Sequence, residues 1–264
     1  IMSGGNGSQT DYVLDAHRTN EPAKCEKPLK NRKYSFPAVG KIIVIGDVHG
    51  DYAKALEMLV KLKLINYKKE NNFTSYKNGR NYFDWIGGKT VVVQMGDQLD
   101  SDRPGALFDK DGINDIKTME LFSELHHKAK KSGVACYSLI GNHEIMNVLG
   151  MFTYVSKDIQ KPVMQEYCNR MSKTDSSYQN CSQKTVEEIR QLAFRRGSRF
   201  AKMLACDRYS VLKIGSYLFV HGGILGKLAN KYPDISIINQ KISNWLLGND
   251  DAENIDEILS LIHI

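Results

Sequence analysis

Apolar and polar positions alternate most regularly after residue 39. Lys41-Ile42-Ile43-Val44-Ile45 is a continuous β-branched run bounded by Gly40 and Gly46, which is how a strand covered on both faces reads. Leu56, Leu59, Val60 and Leu64 then recur at helical spacing and predict a helix over about 51–64. The same alternation repeats. Lys89–Met95 predicts a second buried strand, and a helix over about 114–131 follows it. Val134–Ile140 predicts a third strand, leading into a short helix from about 143. Buried strands alternating with helices define an α/β architecture. The segment 151–206 reads as helical and more polar, its clearest part being Lys184–Ala205 with Ile189, Leu192, Ala193, Phe200 and Leu204. Tyr209–Ile214 and Tyr217–His221, separated by Gly215-Ser216, read as a hairpin, and Ile235–Leu247 as a further helix.

Residues 1–38 break this pattern. They hold Gly4-Gly5-Asn6-Gly7 and the cluster Lys24, Lys27, Lys30, Arg32 and Lys33, and are expected to form a flexible basic arm before a folded domain over 39–264. Of 264 residues 42% are apolar and 25% charged, which excludes collagen-like, low-complexity and wholly disordered chains. The net charge of +6 suits acidic substrates such as phosphate esters, but it is too diffuse for a nucleic-acid surface, and no nucleic-acid partner is expected. No apolar run approaches the ~18 residues of a membrane span. Cys25, Cys136, Cys168, Cys181 and Cys206 are odd in number and form no C-x-x-C, so reduced thiols and a cytoplasmic location are expected. The chain opens on Ile1 before Met2 and stops inside Ser260-Leu261-Ile262-His263-Ile264, so it is expected to be C-terminally incomplete.

Candidate chemistry sits where the strands end. The first strand runs into Gly46-Asp47-Val48-His49-Gly50-Asp51, and the second into Gly96-Asp97-Gln98-Leu99-Asp100 and then Ser101-Asp102-Arg103-Pro104. The third runs into Gly141-Asn142-His143-Glu144, and the hairpin ends in His221-Gly222-Gly223. In α/β sheets ligands bind beyond the carboxyl ends of the strands, so these four loops should converge. Their carboxylates, imidazoles and one amide suit transition metals that take mixed nitrogen and oxygen ligands. The flanking glycines permit tight turns and close approach of backbone and substrate. One Gly-Asp behind a strand also reads as a turn with a helix cap. Four such clusters, each behind a predicted strand, read as one site. His143-Glu144-Ile145-Met146-Asn147 lacks the second histidine of H-E-x-x-H, which excludes a zincin.

The series Gly-Asp-Val-His-Gly, Gly-Asp-x-x-Asp, Gly-Asn-His-Glu and His-Gly-Gly resembles the calcineurin-like metallophosphoesterases in the phosphoprotein phosphatase style. It resembles the Shewanella-like protein phosphatases more closely still, through Asn142–Gly150, Phe152, Tyr154, Val155, Ala193-Phe194-Arg195, Gly197 and Phe219–Ile224. Ile238-Asn239, Ile242-Ser243 and Trp245 extend it, so that it runs from about Lys41 to Gly248.

The resemblance implies an α/β metallophosphoesterase fold, with mixed β-sheets packed as a sandwich flanked by helices. It implies that Asp47 and His49 hold one metal ion, that Asn142 and His221 hold a second, and that Asp97 bridges them. Manganese, iron or zinc would serve. His143 would protonate the leaving group, and Asp100 would fix its tautomer. Arg103 would bind phosphate, although it lies two positions later than the family's arginine. The implied activity is metal-dependent hydrolysis of a phosphomonoester, on phosphorylated Ser, Thr or Tyr of a protein or on a small ester, by direct attack of water. Two alternatives stay open: a phosphodiesterase or nucleotide pyrophosphohydrolase on the same scaffold, and a non-catalytic phosphoprotein-binding relative. The second arises because the pattern's last metal-binding histidine and a second phosphate-binding arginine are not found in the chain. His263 follows His221 too soon to be that histidine. Oligomeric state is left open.

Overall fold

In the computed structural model of this chain, the described residues are 32–67, 76–77, 80–81, 83–102, 112–249, 255 and 259. In chain order the first elements are β1 (Ser35–Phe36), β2 (Ile42–Ile45), α1 (Tyr52–Lys61), β3 (Ile65–Tyr67), β4 (Tyr76–Lys77), β5 (Arg80–Asn81), β6 (Phe83–Trp85) and β7 (Val91–Gln94). Then come α2 (Asp115–Lys131), β8 (Cys136–Ser138), α3 (Asn142–Val148), α4 (Lys157–Met171), α5 (Val186–Phe194) and α6 (Arg199–Asp207). The last are β9 (Val211–Ile214), β10 (Tyr217–Val220), α7 (Gly226–Lys231) and α8 (Ile235–Leu246).

Two three-stranded sheets organise the molecule. The first, β2-β7-β8, is parallel throughout, and all of β7 is buried, as its unbroken apolar run requires. The second, β1-β9-β10, pairs β1 parallel and β10 antiparallel to β9. Alternation along β7 sends its side chains to two different cores. Val91 and Val93 join Tyr137, Leu139, Tyr34, Leu212, Ile214 and Phe219 between the sheets. Val92 faces the other way, with Ala55, Leu56 and Leu59 of α1 and Leu121, Phe122 and Leu125 of α2. A third core lies among α3, α4, α5, α6 and α8. The result is the expected sandwich of sheets flanked by helices.

Because β2, β7 and β8 are parallel, the loops after them leave the same edge. The end of β10 joins them there, with His221 Nδ1 lying 2.7 Å from the carbonyl oxygen of Met95. Local chemistry starts the helices near that edge. The Asp51 side chain caps α1 by accepting from Lys54 N, and Asn114 caps α2 by accepting from Lys117 N.

Several expectations need correction. The helical stretch Lys184–Ala205 is two helices, α5 and α6. Gly197 between them has φ 75°, and its N–H donates to Leu246 O at 2.8 Å, so the chain turns where continuous helix would need right-handed backbone. Residues 34–36, expected within the flexible arm, are part of the fold. Tyr34 is buried, β1 pairs with β9, and the Arg32 guanidinium lies 3.9 Å from the centroid of the Tyr209 ring. Residues 1–31 lie outside those described. The antiparallel pair β3–β6, between α1 and β7, had no sequence expectation.

The reduced-thiol expectation is also overturned. Cys168 of α4 is disulfide-bonded to Cys181, 13 residues on, and Cys206 is disulfide-bonded as well. Absence of C-x-x-C did not exclude this, because packing of α4 on the turn Cys181–Gln183 brings distant cysteines together. Cys136 is free and buried. The cytoplasmic expectation loses the support it drew from reduced thiols. Among the described residues, no helix is long and apolar enough to cross a membrane.

Candidate metal centre

The four loops meet at the shared sheet edge. Asp97 lies at their centre and is almost wholly buried. Its Oδ1 accepts the backbone N–H of His143 at 3.0 Å, and its Oδ2 lies 3.3 Å from His221 Nε2 and 4.0 Å from His143 Nε2. Asp47, which is largely exposed, lies 3.5 Å from His49 Nε2 through Oδ2. Asn142 Oδ1 lies 3.0 Å from His221 Nε2. Two triads have ligand atoms within 4.8 Å of one another: His49, Asp97 and His143, and Asp47, Asp97 and His221. Asp97 belongs to both.

Two of the histidines are wired alike. His49 Nδ1 lies 3.1 Å from Leu99 O, and His221 Nδ1 lies 2.7 Å from Met95 O. A carbonyl can only accept, so Nδ1 carries the proton in each ring. That leaves both Nε2 atoms to face the carboxylates and the amide. Metal-binding histidines are held this way, with one ring N–H anchored to the protein and the other nitrogen free for the ion.

The electrostatics point the same way. Burial would push the His221 imidazolium down, but the hydrogen bond and charge of Asp97 outweigh it and raise His221 to about 9. Burial alone would raise the Asp97 carboxyl, yet the bonds from His221 and the His143 backbone hold it below the usual carboxylate range. A proton on His221 therefore occupies the position of positive charge that the donor set favours. Mixed nitrogen and oxygen donors around a shared buried carboxylate suit bound metal ions.

The backbone is bent to make this cluster. Asp97 has φ 52°, His49 φ 45° and Asp100 φ 69°, so three of the five non-glycine residues at positive φ among those described lie here. Such conformations cost of order 1–3 kcal/mol each and persist where surrounding contacts over-determine them. Gly141 has a steric reason to be glycine: a Cβ there would lie 2.1 Å from Asp97 Oδ1.

A model of the calcineurin-like phosphoesterases matches residues 40–261. The chain belongs to that family. Among relatives of this phosphoesterase, Shewanella-like protein phosphatase 2 of Arabidopsis thaliana is 26% identical over 249 residues, covering 86% of this chain and 56% of the relative. Shewanella-like protein phosphatase 1 of Plasmodium berghei is 34% identical over 138 residues, covering 52% of this chain and 32% of the relative. The solved cold-active protein-tyrosine phosphatase of a psychrophilic Shewanella shares the fold at TM-score 0.54 and 18% identity, covering 89% of this chain and 57% of that one. This phosphoesterase thus spans little more than half the length of these relatives at most.

Behind the candidate ligands lies a buried polar layer, most of it without a sequence expectation. Glu144 is buried, and its carboxylate accepts from Asp97 N at 2.9 Å, Gln98 N at 2.8 Å and Gly141 N at 2.7 Å. Burial, with the nearby charge of Asp97, pushes Glu144 up to about 7. His143 Nδ1 lies 3.0 Å from Asp100 Oδ2, and the ring of Tyr154 packs edge-on at 5.1 Å. Asp100 in turn meets Asn147 and the buried guanidinium of Arg190. Arg190 was missed in the sequence, although one signal was present: a charge beside Ile189 and three residues before Ala193, both fully buried. Arg196, one of the arginines of the resemblance region, donates to Trp245 O and ties the end of α5 to α8. Arg103 and His263 lie outside the described residues.

Proposed function

We propose that this phosphoesterase hydrolyses phosphomonoesters with bound transition metals, and that its substrate is a phosphorylated protein. The observation that carries the reading is the paired wiring of His49 and His221, whose Nε2 atoms face Asp47, Asp97 and Asn142. Asp47 and His49 would hold one ion, Asn142 and His221 the other, with Asp97 shared. When bound, manganese, iron or zinc would acidify water and offset charge on the phosphoryl oxygens.

The chain's own residues handle the proton. The water oxygen forms the new bond to phosphorus, and the ester P–O bond breaks with its electron pair on the leaving oxygen. That oxygen takes a proton from His143 Nε2, and the proton given up by the attacking water restores the imidazole. Asp100 holds Nδ1, so Nε2 is the atom that faces Asp97. No covalent phosphoenzyme is needed. The names of the two phosphatase relatives support a phosphoprotein substrate.

The test is hydrolysis of para-nitrophenyl phosphate by the 264-residue chain in added manganese, beside Asp97→Asn and beside bis(para-nitrophenyl) phosphate. Outer-shell partners of metal ligands cost ~10–100-fold when removed, so loss of the shared ligand should cost at least about 100-fold. Manganese-dependent turnover of the monoester, lost in the variant, is the expected result. Preference for the diester, or no turnover by a folded chain shown to bind manganese, would overturn the proposal.

A further inference from the structure

The buried polar layer behind His143 is built from residues outside the candidate ligand set. Arg190 projects from α5 into the space between α2, α3 and the loop after β7, and none of its side chain reaches solvent. Its Nη2 donates to Asp100 Oδ1 at 2.9 Å, and its Nη1 donates to Asp115 Oδ2 at 2.7 Å. Its Nε donates to Asn147 Oδ1 at 2.8 Å. Asn147 turns its other end on Asp100, with Nδ2 at 2.8 Å from Oδ2 and 3.0 Å from Oδ1. Gln160 Nε2 completes the layer by donating to Asp115 Oδ1 at 3.0 Å.

Both oxygens of Asp100 are therefore occupied. Arg190 holds Oδ1 and Asn147 bridges both oxygens, which sets the plane of the carboxylate. Oδ2 is then delivered to His143 Nδ1 at 3.0 Å. Asp100 is fully buried, and one arm of the Arg190 guanidinium meets it while the other meets Asp115. A planar guanidinium can hold two carboxylates in fixed directions at once, whereas a lysine ammonium carries the charge without the fork.

We propose that Arg190, together with Asn147, is a positioning residue for the leaving-group proton. Its guanidinium fixes Asp100, and Asp100 fixes the ring and tautomer of His143. This rests on the phosphomonoesterase reading above, with His143 as the proton donor.

A residue that merely stabilises the fold would slow every substrate alike. A residue that aims the general acid matters most where the leaving oxygen needs a proton. Arg190→Lys and His143→Gln are to be compared with the wild type on phenyl phosphate, a poor leaving group, and para-nitrophenyl phosphate, a good one. Thermal unfolding establishes that each variant is folded. General-acid catalysis contributes typically ~10²–10⁴-fold. Arg190→Lys should therefore lower kcat on phenyl phosphate at least about tenfold and on para-nitrophenyl phosphate less than about threefold, with KM unchanged. Equal losses on the two esters, or no loss on either, would overturn the proposal. If His143→Gln itself shows no such split, the assignment of the acid fails instead.

A second reading needs no turnover. Long-range proton–nitrogen spectra of the imidazoles, assigned with His143→Gln, report the Nδ1 proton held by Asp100. In folded Arg190→Lys that resonance should broaden or move upfield. A His143 signal identical to wild type would refute the positioning role even in an inactive chain.

Discussion

Metal binding at this site should release a proton, and the structure says from where and over which pH window. His221 carries its extra proton up to about 9, against an ordinary value of 6.5, because Asp97 faces its Nε2. That same nitrogen is the one a metal ion needs. Below pH 9 an ion must displace the proton, so apparent affinity at the His221 site should rise about tenfold per pH unit from 6.5 to 8.5. Near pH 7 binding should release close to one proton. The metal-free protein should show the opposite trend. A group whose folded value is raised contributes stability below its unfolded value and loses it as pH rises through the folded one. At ~1.36 kcal/mol per pH unit, discounted because His221 is only partly buried, the loss between pH 6.5 and 9 is about 2 kcal/mol. The assays are calorimetric titration of manganese in buffers of different ionisation enthalpy, and thermal unfolding across the same range with and without metal. His221→Asn should abolish the slope. A manganese affinity constant from pH 6.5 to 8.5, with no proton release, would refute the reasoning.

Three further outcomes follow from contacts around the same loops and from the cysteines. Gly141→Ala would place Cβ 2.1 Å from Asp97 Oδ1 and 2.4 Å from Asp97 N, so the Asp97 loop must shift. We expect ~1–3 kcal/mol of destabilisation with loss of manganese binding, and unchanged affinity would count against the geometry. Glu144→Ala strips the acceptor from three backbone N–H groups, of Asp97, Gln98 and Gly141, and should cost at least about 3 kcal/mol in urea unfolding. A loss below about 1 kcal/mol would show that those loops hold without it. Cys168→Ser opens a cross-link spanning 13 residues, which by chain entropy is worth about 3 kcal/mol. Alkylation of the denatured, unreduced chain should leave Cys168 and Cys181 joined in one peptide pair. Recovery of both as alkylated thiols would refute the bond.

How much of this could be seen in the sequence depends on what each residue has to do. Asp47, His49, Asp97, Asn142 and His221, the candidate ligands, each place a donor atom beyond a strand end, so as ligands their types and places would be narrowly constrained, and they stand out against the apolar runs before them. The parallel sheet was legible for a related reason. A strand buried on both faces, such as β7, has no freedom to be polar. The residues that hold the ligands face no such constraint, because any element packed behind the site can supply them. Glu144 does so from the first turn of α3, the helix that begins at Asn142. Arg190 does so from α5, 90 positions along the chain from the Asp100 it orients. Spacing cannot announce a contact of that span, since it exists only once α5 has packed against α3. What the sequence does show is a local misfit, a guanidinium next to fully buried Ile189 in an otherwise amphipathic helix. Burying that charge is costly unless it is paired, so the misfit is itself evidence of a partner. The break at Gly197 and the pairing of β1 with β9 escaped for the same cause: each is decided by a neighbour distant in the chain, Leu246 in one case and β9 in the other. Local pattern therefore marks the atoms that do the chemistry, and tertiary packing decides which residues aim them.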